Sequence, residues 1–167
     1  MSLLTEEVRS YIGYEGQRFV ACDVTEAGAV RRYAQAIMDH DQRYSPENES
    51  QVAPLLYPVY AFRTSFEDRD ALTERASDPD FDGLVPGAGN GLPELPLRGL
   101  SLLNGGADVE FYQFASVGGR IYQQSTYADI QERQSKSGAM LLVIVETLYS
   151  NQNGEPLLRY RKTLIRR

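Results

Sequence analysis

The sequence predicts an α+β domain in which one long antiparallel sheet wraps around a central helix. Three features indicate this: helical periodicity is confined to the first third, strand-like segments fill the last third, and a mostly apolar segment lies between them. A sheet with one apolar face must be covered. The apolar segment 52–62, "VAPLLYPVYAF", is the best candidate to lie across it as a helix. The 167 residues are enough for a single domain, 1–167, with its own core.

The first part of the chain is predicted to contain a short amphipathic helix, a strand and a second helix. Residues 3–12 are typical of a short helix, and 18–24 of a first strand. Thr25 is a plausible N-cap for the second helix, which we expect to end near Asp39. Pro54 suits the first turn of the central helix, where a missing N–H costs nothing. The apolar residues of the second helix recur at the i, i+3, i+4, i+7, i+8 spacing: Val30, Tyr33, Ala34, Ile37 and Met38.

The predicted sheet comes from four late segments, 107–114, 119–134, 138–150 and 155–167. Asn153-Gly154 is a strong hairpin signal between the last two. The segment 138–150 is apolar on both sides, as expected of a central strand packed on both faces. Residues 67–99 instead have few large apolar side chains and many Gly, Pro and Asp. We expect a long, partly ordered excursion there within the single domain.

Composition narrows the possible partners. The net charge is −6, with both signs mixed along the chain, which argues against nucleic acid as the main partner. Cys22 is the only cysteine, so no disulfide within the chain and no multi-cysteine zinc site are possible. No segment approaches the roughly 20 apolar residues that span a bilayer. We therefore expect a cytoplasmic protein with no membrane partner, no metal and no other cofactor.

The only histidine, His40, lies between two aspartates in the segment 37–44, "IMDHDQRY", directly after the second predicted helix. Imidazole titrates near neutral pH, and carboxylates beside it are common in general acid/base sites. The segment is therefore the first candidate for a catalytic site.

Taken together, the segments resemble the MaoC-like (R)-specific enoyl-thioester hydratase/dehydratase superfamily, which implies the hotdog fold. The resemblance is carried by 24–44, "VTEAGAVRRYAQAIMDHDQRY", by 52–62, and by 103–167 from "LNGGADVEFYQF" onward, in the order that the family has. The chain is similar above all to the N-terminal dehydratase domain of double-hotdog members and to the small stand-alone subunits of mycolic-acid type dehydratases. Such proteins add water to a trans-2-enoyl thioester, or remove it from the hydroxyacyl product.

The resemblance also places a catalytic motif on this chain. Family members supply an acid/base pair from a loop of the type Gly-Asp-x-Asn-Pro-x-His. Its Gly falls on Met38, its catalytic Asp on Asp39 and its catalytic His on Tyr44. A phenol with a pKa near 10 is a poor general base at pH 7. The first variable position of the motif is His40, its Asn falls on Asp41 and its Pro on Gln42.

A second motif concerns the thioester carbonyl. The family's Ile-Ala-His-Gly-Met lies over 52–56, which implies that the N–H of Leu55, with Leu56 beside it, receives the thioester oxygen. The family's frequent Leu-His-Gly-Gly is 103–106 here, with Asn104 in place of the histidine. The catalytic histidine of the family and this histidine are thus both absent here.

These observations give three hypotheses. The first is a degenerate hydratase or dehydratase component that binds an acyl-CoA or acyl-carrier-protein thioester and pairs with a catalytic hotdog domain. The second is a self-sufficient homodimeric hydratase that uses Asp39 with His40 or Tyr44. The third is a non-enzymatic acyl-thioester-binding or scaffold protein. The alternative fold is the cone-shaped α+β barrel of the nuclear-transport-factor type, which packs several helices outside a curved sheet.

Overall fold

The computed structural model describes residues 2–62, 73–74, 76–79, 90–97, 99–136 and 138–167. Five antiparallel strands form one sheet in the order β1-β3-β4-β5-β2. The strands are β1 Phe19–Val20, β2 Leu102–Phe111, β3 Tyr122–Ser135, β4 Gly138–Ser150 and β5 Pro156–Arg166. The helices are α1 Glu6–Arg9, α2 Ala27–Ala36 and α3 Tyr57–Tyr60, with a 3₁₀ turn at Gln42–Tyr44.

The centre of the sheet matches the prediction. β4 has the predicted bounds and is the third of five strands. The turn into β5 is closed by the N–H of Asn151, which donates to the carbonyl of Glu155 at 3.0 Å. Gly154 has φ +81°, a conformation that glycine adopts without steric cost. The hairpin signal in the sequence is therefore confirmed.

Only one face of β4 is closed in the described residues. Its core face carries Leu141 and Val143, both 2% exposed or less. On the opposite face Ile144 is half-buried and Leu148 is 43% exposed. The prediction that this strand packs on both faces is therefore wrong at Leu148, because nothing described covers that end of the outer face.

The core face of the sheet carries two hydrophobic clusters. The α2-side core consists of Ala21, Val30, Ala34, Tyr44, Ala53, Tyr57, Ala115, Ile121, Tyr149, Leu157 and Leu158. The α1-side core consists of Val8, Leu92, Leu97, Tyr127, Ile130, Leu141, Val143 and Val145. Between them Ser125 and Thr147 share a buried hydroxyl–hydroxyl hydrogen bond of 2.7 Å.

The apolar segment 52–62 lies across the sheet as predicted, but its helix is only one turn long. α3 starts at Tyr57, three residues after Pro54, and Pro58 lies in its first turn. Tyr57 packs into the α2-side core, and the ring centroid of Phe62 is 5.8 Å from that of Tyr149. The predicted helix was too long because Pro54 and a tight turn over Leu55 and Leu56 precede its start.

The α1-side core is covered by elements that the sequence did not assign to this role. Val8 of α1 and Leu92 and Leu97 of the extended segment 90–97 are buried against the sheet. The hydroxyl of Tyr127 donates to the carbonyl of Pro93 at 2.7 Å. The last part of the predicted excursion 67–99 thus belongs to the core. Most of the rest of it lies outside the described residues.

Helix α2 is shorter than predicted at both ends. Its N-cap is Glu26, not Thr25, and it has no side-chain capping bond. It ends at Ala36 instead of near Asp39. Val30 and Ala34 are buried, but Ile37 and Met38 are 47% and 81% exposed because the helix has ended before them. The predicted apolar face is therefore correct for the helix proper only.

Candidate active site

The loop after α2 begins with a left-handed residue. Met38 has φ 57°, the only positive φ among the described non-glycine residues. The N–H of Asp39 donates back to the carbonyl of Ala34 at 2.9 Å, which closes the helix end. Helices commonly end with glycine in this conformation. The chain therefore bends at the position where the family motif has its glycine, although a methionine occupies it.

Short carboxylate turns shape the next residues. Asp39 Oδ1 accepts from the N–H of Asp41 at 3.1 Å, and Asp41 Oδ1 accepts from the N–H of Arg43 at 2.9 Å. The Arg43 guanidinium also donates to both oxygens of Asp41, and these bonds lower the pKa of Asp41 to about 2. Arg43 stacks over the Phe114 ring at 4.6 Å. His40 is exposed in the middle of this loop.

Tyr44 is the buried member of the motif, at 7% exposure. Burial raises the pKa of its phenol, and the nearby charges of Asp39 and Asp41 raise it further. The phenol thus stays neutral at pH 7. It can donate a hydrogen bond, but it does not accept a proton as an imidazole would.

The structure joins this loop to the predicted carbonyl-binding segment. The N–H of Val52 donates to the carbonyl of Arg43 at 3.1 Å. The side-chain amide of Gln51, 8% exposed, donates to the carbonyl of Tyr44 at 2.6 Å. The carbonyl of Gln51 accepts from the N–H of Val117 at 3.1 Å. Gln51 thus fixes both segments to one another and to the strand connection beside them.

Leu55 and Leu56 form the turn that leads into α3. On either side, the N–H of Ala53 donates to Ala115 and the N–H of Tyr57 donates to Pro54, both at 2.8 Å. Within the described ranges, the N–H groups of Leu55 and Leu56 have no hydrogen-bond acceptor. Leu55 is half-buried and Leu56 is 42% exposed. An N–H group that is free of a described acceptor can donate a hydrogen bond to an oxygen atom of a ligand at this turn.

Two features of the site were not found from the sequence. Gln51 was not singled out, because a single polar residue before an apolar segment looks like a loop residue. The left-handed conformation of Met38 could have been found, since the position aligns with a glycine of the family motif. Both features determine how the predicted residues are placed.

No group of three or more metal-ligating side chains occurs in the part of the chain that the structure describes. The described helices also include none long and apolar enough to cross a membrane.

Comparison with known families decides the affiliation. Residues 10–159 match the family described as "FAS1-like, dehydratase domain region". The chain belongs to this family. No curated protein matches the sequence of this chain. Because the match covers most of the chain and includes both motifs, the predicted membership of the MaoC-like hydratase/dehydratase superfamily is confirmed.

Solved structures of the same fold agree. The ChsH1–ChsH2 complex from Mycobacterium tuberculosis aligns with a TM-score of 0.64 at 9% identity, over 95% of this chain and 85% of that one. The HadBC 3R-hydroxyacyl-ACP dehydratase from the same organism aligns at 0.56 and 14% identity, over 93% and 96%. The (R)-hydratase from A. caviae aligns at 0.56 and 12% identity, over 98% of both chains. This FAS1-like dehydratase-region protein thus has the predicted hotdog fold, and the cone-shaped barrel is excluded.

Proposed function

We propose that this FAS1-like dehydratase-region protein is a component of a hydratase or dehydratase acting on 2-enoyl or 3-hydroxyacyl thioesters of coenzyme A or acyl-carrier protein. The supporting observation is the direct bonding of the loop 38–44 to the segment 51–56, in a chain of this family. That contact supports the proposal, because it joins the loop that carries Asp39 to the segment in which the N–H groups of Leu55 and Leu56 have no acceptor among the described residues. The predicted cytoplasmic location stays a prediction.

The N–H of Leu55 would receive the thioester oxygen. Hydration adds the water oxygen to C3 and a proton to C2, and negative charge builds up on the thioester oxygen between these events. A fixed backbone N–H aimed at that oxygen lowers the barrier, because no reorganisation is needed when the charge develops. Leu56, exposed beside it, would contact the substrate near the carbonyl.

The proton-transfer pair is incomplete. Asp39 can hold the water and accept its proton, but the position of the catalytic histidine is a buried, neutral Tyr44. His40 is exposed on the neighbouring position, and adjacent side chains point in different directions. We therefore propose that this chain binds and orients the thioester, and that a second hotdog protein supplies the intact Asp/His pair.

β2 is the edge through which such a partner would join. It is the last strand of the sheet, and eight of its ten residues, 103–108, 110 and 111, are exposed. A long edge strand leaves a row of backbone groups ready to pair with another chain. Pairing β2 with the edge strand of another hotdog protein, or of a second copy, would continue the antiparallel sheet across both subunits.

The test separates a component from a complete enzyme. The purified chain is given crotonyl-CoA and longer trans-2-enoyl-CoAs, and hydration is followed by loss of the enoyl absorbance. We expect no turnover above the buffer rate from the chain alone. Turnover is expected once it is co-expressed with a hotdog protein that carries Asp-x-Asn-Pro-x-His. Turnover by the chain alone that disappears in Asp39→Ala would show a self-sufficient enzyme. Thioester binding without turnover in either preparation would show a binding or scaffold protein.

A further inference from the structure

A polar cleft of about 180 Å³ lies between the start of α2 and the helix α3. Its walls carry hydroxyl groups and charges beside three small apolar side chains, Val24, Ala29 and Ala61. The polar side chains that border it are Asp23, Thr25, Glu26, Arg32, Tyr57 and Tyr60. None of them belongs to the two motifs that carry the proposed function.

Thr25 provides the clearest sign of a ligand. It is 2% exposed, and its Oγ1 has no hydrogen-bond partner among the described residues. Its backbone is fixed, because its N–H donates to Gly119 and its carbonyl accepts from Gly118, both at 2.8 Å. Buried polar groups in native proteins are nearly always bonded. The hydroxyl thus lies on a fixed backbone at the wall of the cleft, without a hydrogen-bond partner among the described residues.

The tyrosines beside the cleft form a packed aromatic wall. The ring centroids of Tyr57 and Tyr60 are 5.8 Å apart, and Tyr33 packs against both at 5.5 and 5.1 Å. Burial raises the pKa of Tyr57, and Tyr60, Glu26 and Asp23 raise it further. Its hydroxyl therefore keeps its proton and can donate.

The charges around the cleft favour an uncharged ligand that both donates and accepts. Asp23 and Glu26 are acceptors, whereas Arg32 is a donor. The N–H groups in the first turn of α2 also lack a side-chain cap. A strong anion would be repelled by two carboxylates, and a cation by the guanidinium. A hydroxyl group meets both kinds of partner, whereas an alkyl chain would displace water from these groups and replace none of its hydrogen bonds.

The cleft is within reach of the proposed thioester site. Tyr57 follows Leu55 by two residues, which is at most about 7.6 Å between Cα atoms. We propose that the cleft selects acyl thioesters that carry a hydroxyl group on the acyl chain, several carbons beyond the carbonyl, over thioesters with a plain alkyl chain. This inference rests on the proposed function and names the substrate class of that site.

Calorimetry with the full chain tests the proposal. The ligands are hexanoyl-CoA and 6-hydroxyhexanoyl-CoA, which are saturated and are not hydrated, together with pantetheine alone. We expect the hydroxylated thioester to bind about tenfold more tightly, which is what one additional net hydrogen bond provides. In Thr25→Val and in Tyr57→Phe that ratio should fall to about twofold or less. Thr163→Val, on the outer face of β5, is the matched control and should keep it.

Each other outcome has a separate meaning. If both thioesters bind the unsubstituted chain equally well, the inference is overturned and the proposed function stands. If neither thioester binds, both are overturned. If pantetheine alone binds and loses about tenfold in Thr25→Val, the cleft holds the carrier arm, which overturns the assignment to the acyl chain.

Discussion

The two halves of the core are built from different side chains. The α1-side core is filled by Leu, Ile and Val, with a single tyrosine, Tyr127. The α2-side core has four alanines, Ala21, Ala34, Ala53 and Ala115, and three tyrosines, Tyr44, Tyr57 and Tyr149. Both halves lie on the same face of the same sheet, so the difference does not come from the fold.

The comparison separates stability from function. Branched aliphatic side chains fill space and carry no polar atom, so the α1-side core is suited to hold the sheet to its cover. Alanines let backbones approach closely, and tyrosines bring hydroxyl groups into the interior. The candidate active site and the polar cleft both border the α2-side core. We therefore expect substitutions in the α1-side core to change stability alone, and those in the α2-side core to change binding as well.

The largest effect is expected in the α1-side core. Leu141→Ala removes a side chain that is 0% exposed, and should lower the free energy of unfolding by about 3 kcal/mol. Leu148→Ala, on the outer face of the same strand, should lower the free energy of unfolding by only about 0.5 kcal/mol, because its side chain is already 43% exposed. Urea denaturation measures both. Equal losses would mean that the outer face is covered in solution.

Tyr127 and Tyr149 sharpen the comparison between the halves. Tyr127→Phe removes the bond to Pro93 and should cost about 1 kcal/mol at pH 7. Burial raises the pKa of Tyr127 from 10 to about 12. The corresponding stabilisation is complete below pH 10 and is lost as the pH rises through 12. The free energy of unfolding, measured between pH 9 and 12, should therefore fall less steeply with pH in the Tyr127→Phe variant than in the unsubstituted chain.

Tyr149 is the matched residue of the other half. Burial raises its pKa to about 12 as well, so Tyr149→Phe should flatten the same alkaline decline. An alkaline profile that neither substitution changes would contradict the protected, neutral state of both phenols.

The smallest effect is expected at the turn after α2. Met38→Gly removes the cost of a left-handed side-chain-bearing residue and should raise the free energy of unfolding by up to about 1 kcal/mol. Met38→Ala, which keeps a Cβ, is the control and should give no such gain. Thermal unfolding distinguishes them. A loss of stability in Met38→Gly would mean that the loop is held in another conformation.

The strands could be predicted from the sequence more closely than their covering. The bounds of β4 were correct because a long apolar run ends at a hairpin signal. β2 begins at Leu102, five residues before the predicted start, because Gly105-Gly106 reads as a break. In fact the strand bulges between Asn104 and Gly106. A Cβ on Gly105 would approach the Thr163 carbonyl to 3.0 Å, so the glycine permits close packing on β5.

Covering elements were harder to predict because their signal depends on tertiary contacts. The segment 90–97 is rich in Gly and Pro, yet Leu92 and Leu97 are buried in it. The alignment of the loop 38–44 with a catalytic motif came only from the family resemblance, since one histidine between aspartates does not by itself indicate a fold position. The buried amide of Gln51 has no pattern that the sequence alone could show.

The central claim is that Tyr44, in place of a histidine, leaves the site without its acid/base pair. The most direct test is the rate of crotonyl-CoA hydration by the purified Tyr44→His variant, with Tyr44→Phe as the matched control. We predict no turnover from the unsubstituted chain or Tyr44→Phe, and a gain of about 100-fold over the buffer rate in Tyr44→His, the low end of general acid/base catalysis. The gain should disappear when Asp39→Asn is added. Turnover by the unsubstituted chain that is lost in Tyr44→Phe, or a folded Tyr44→His variant without any gain, would contradict the account.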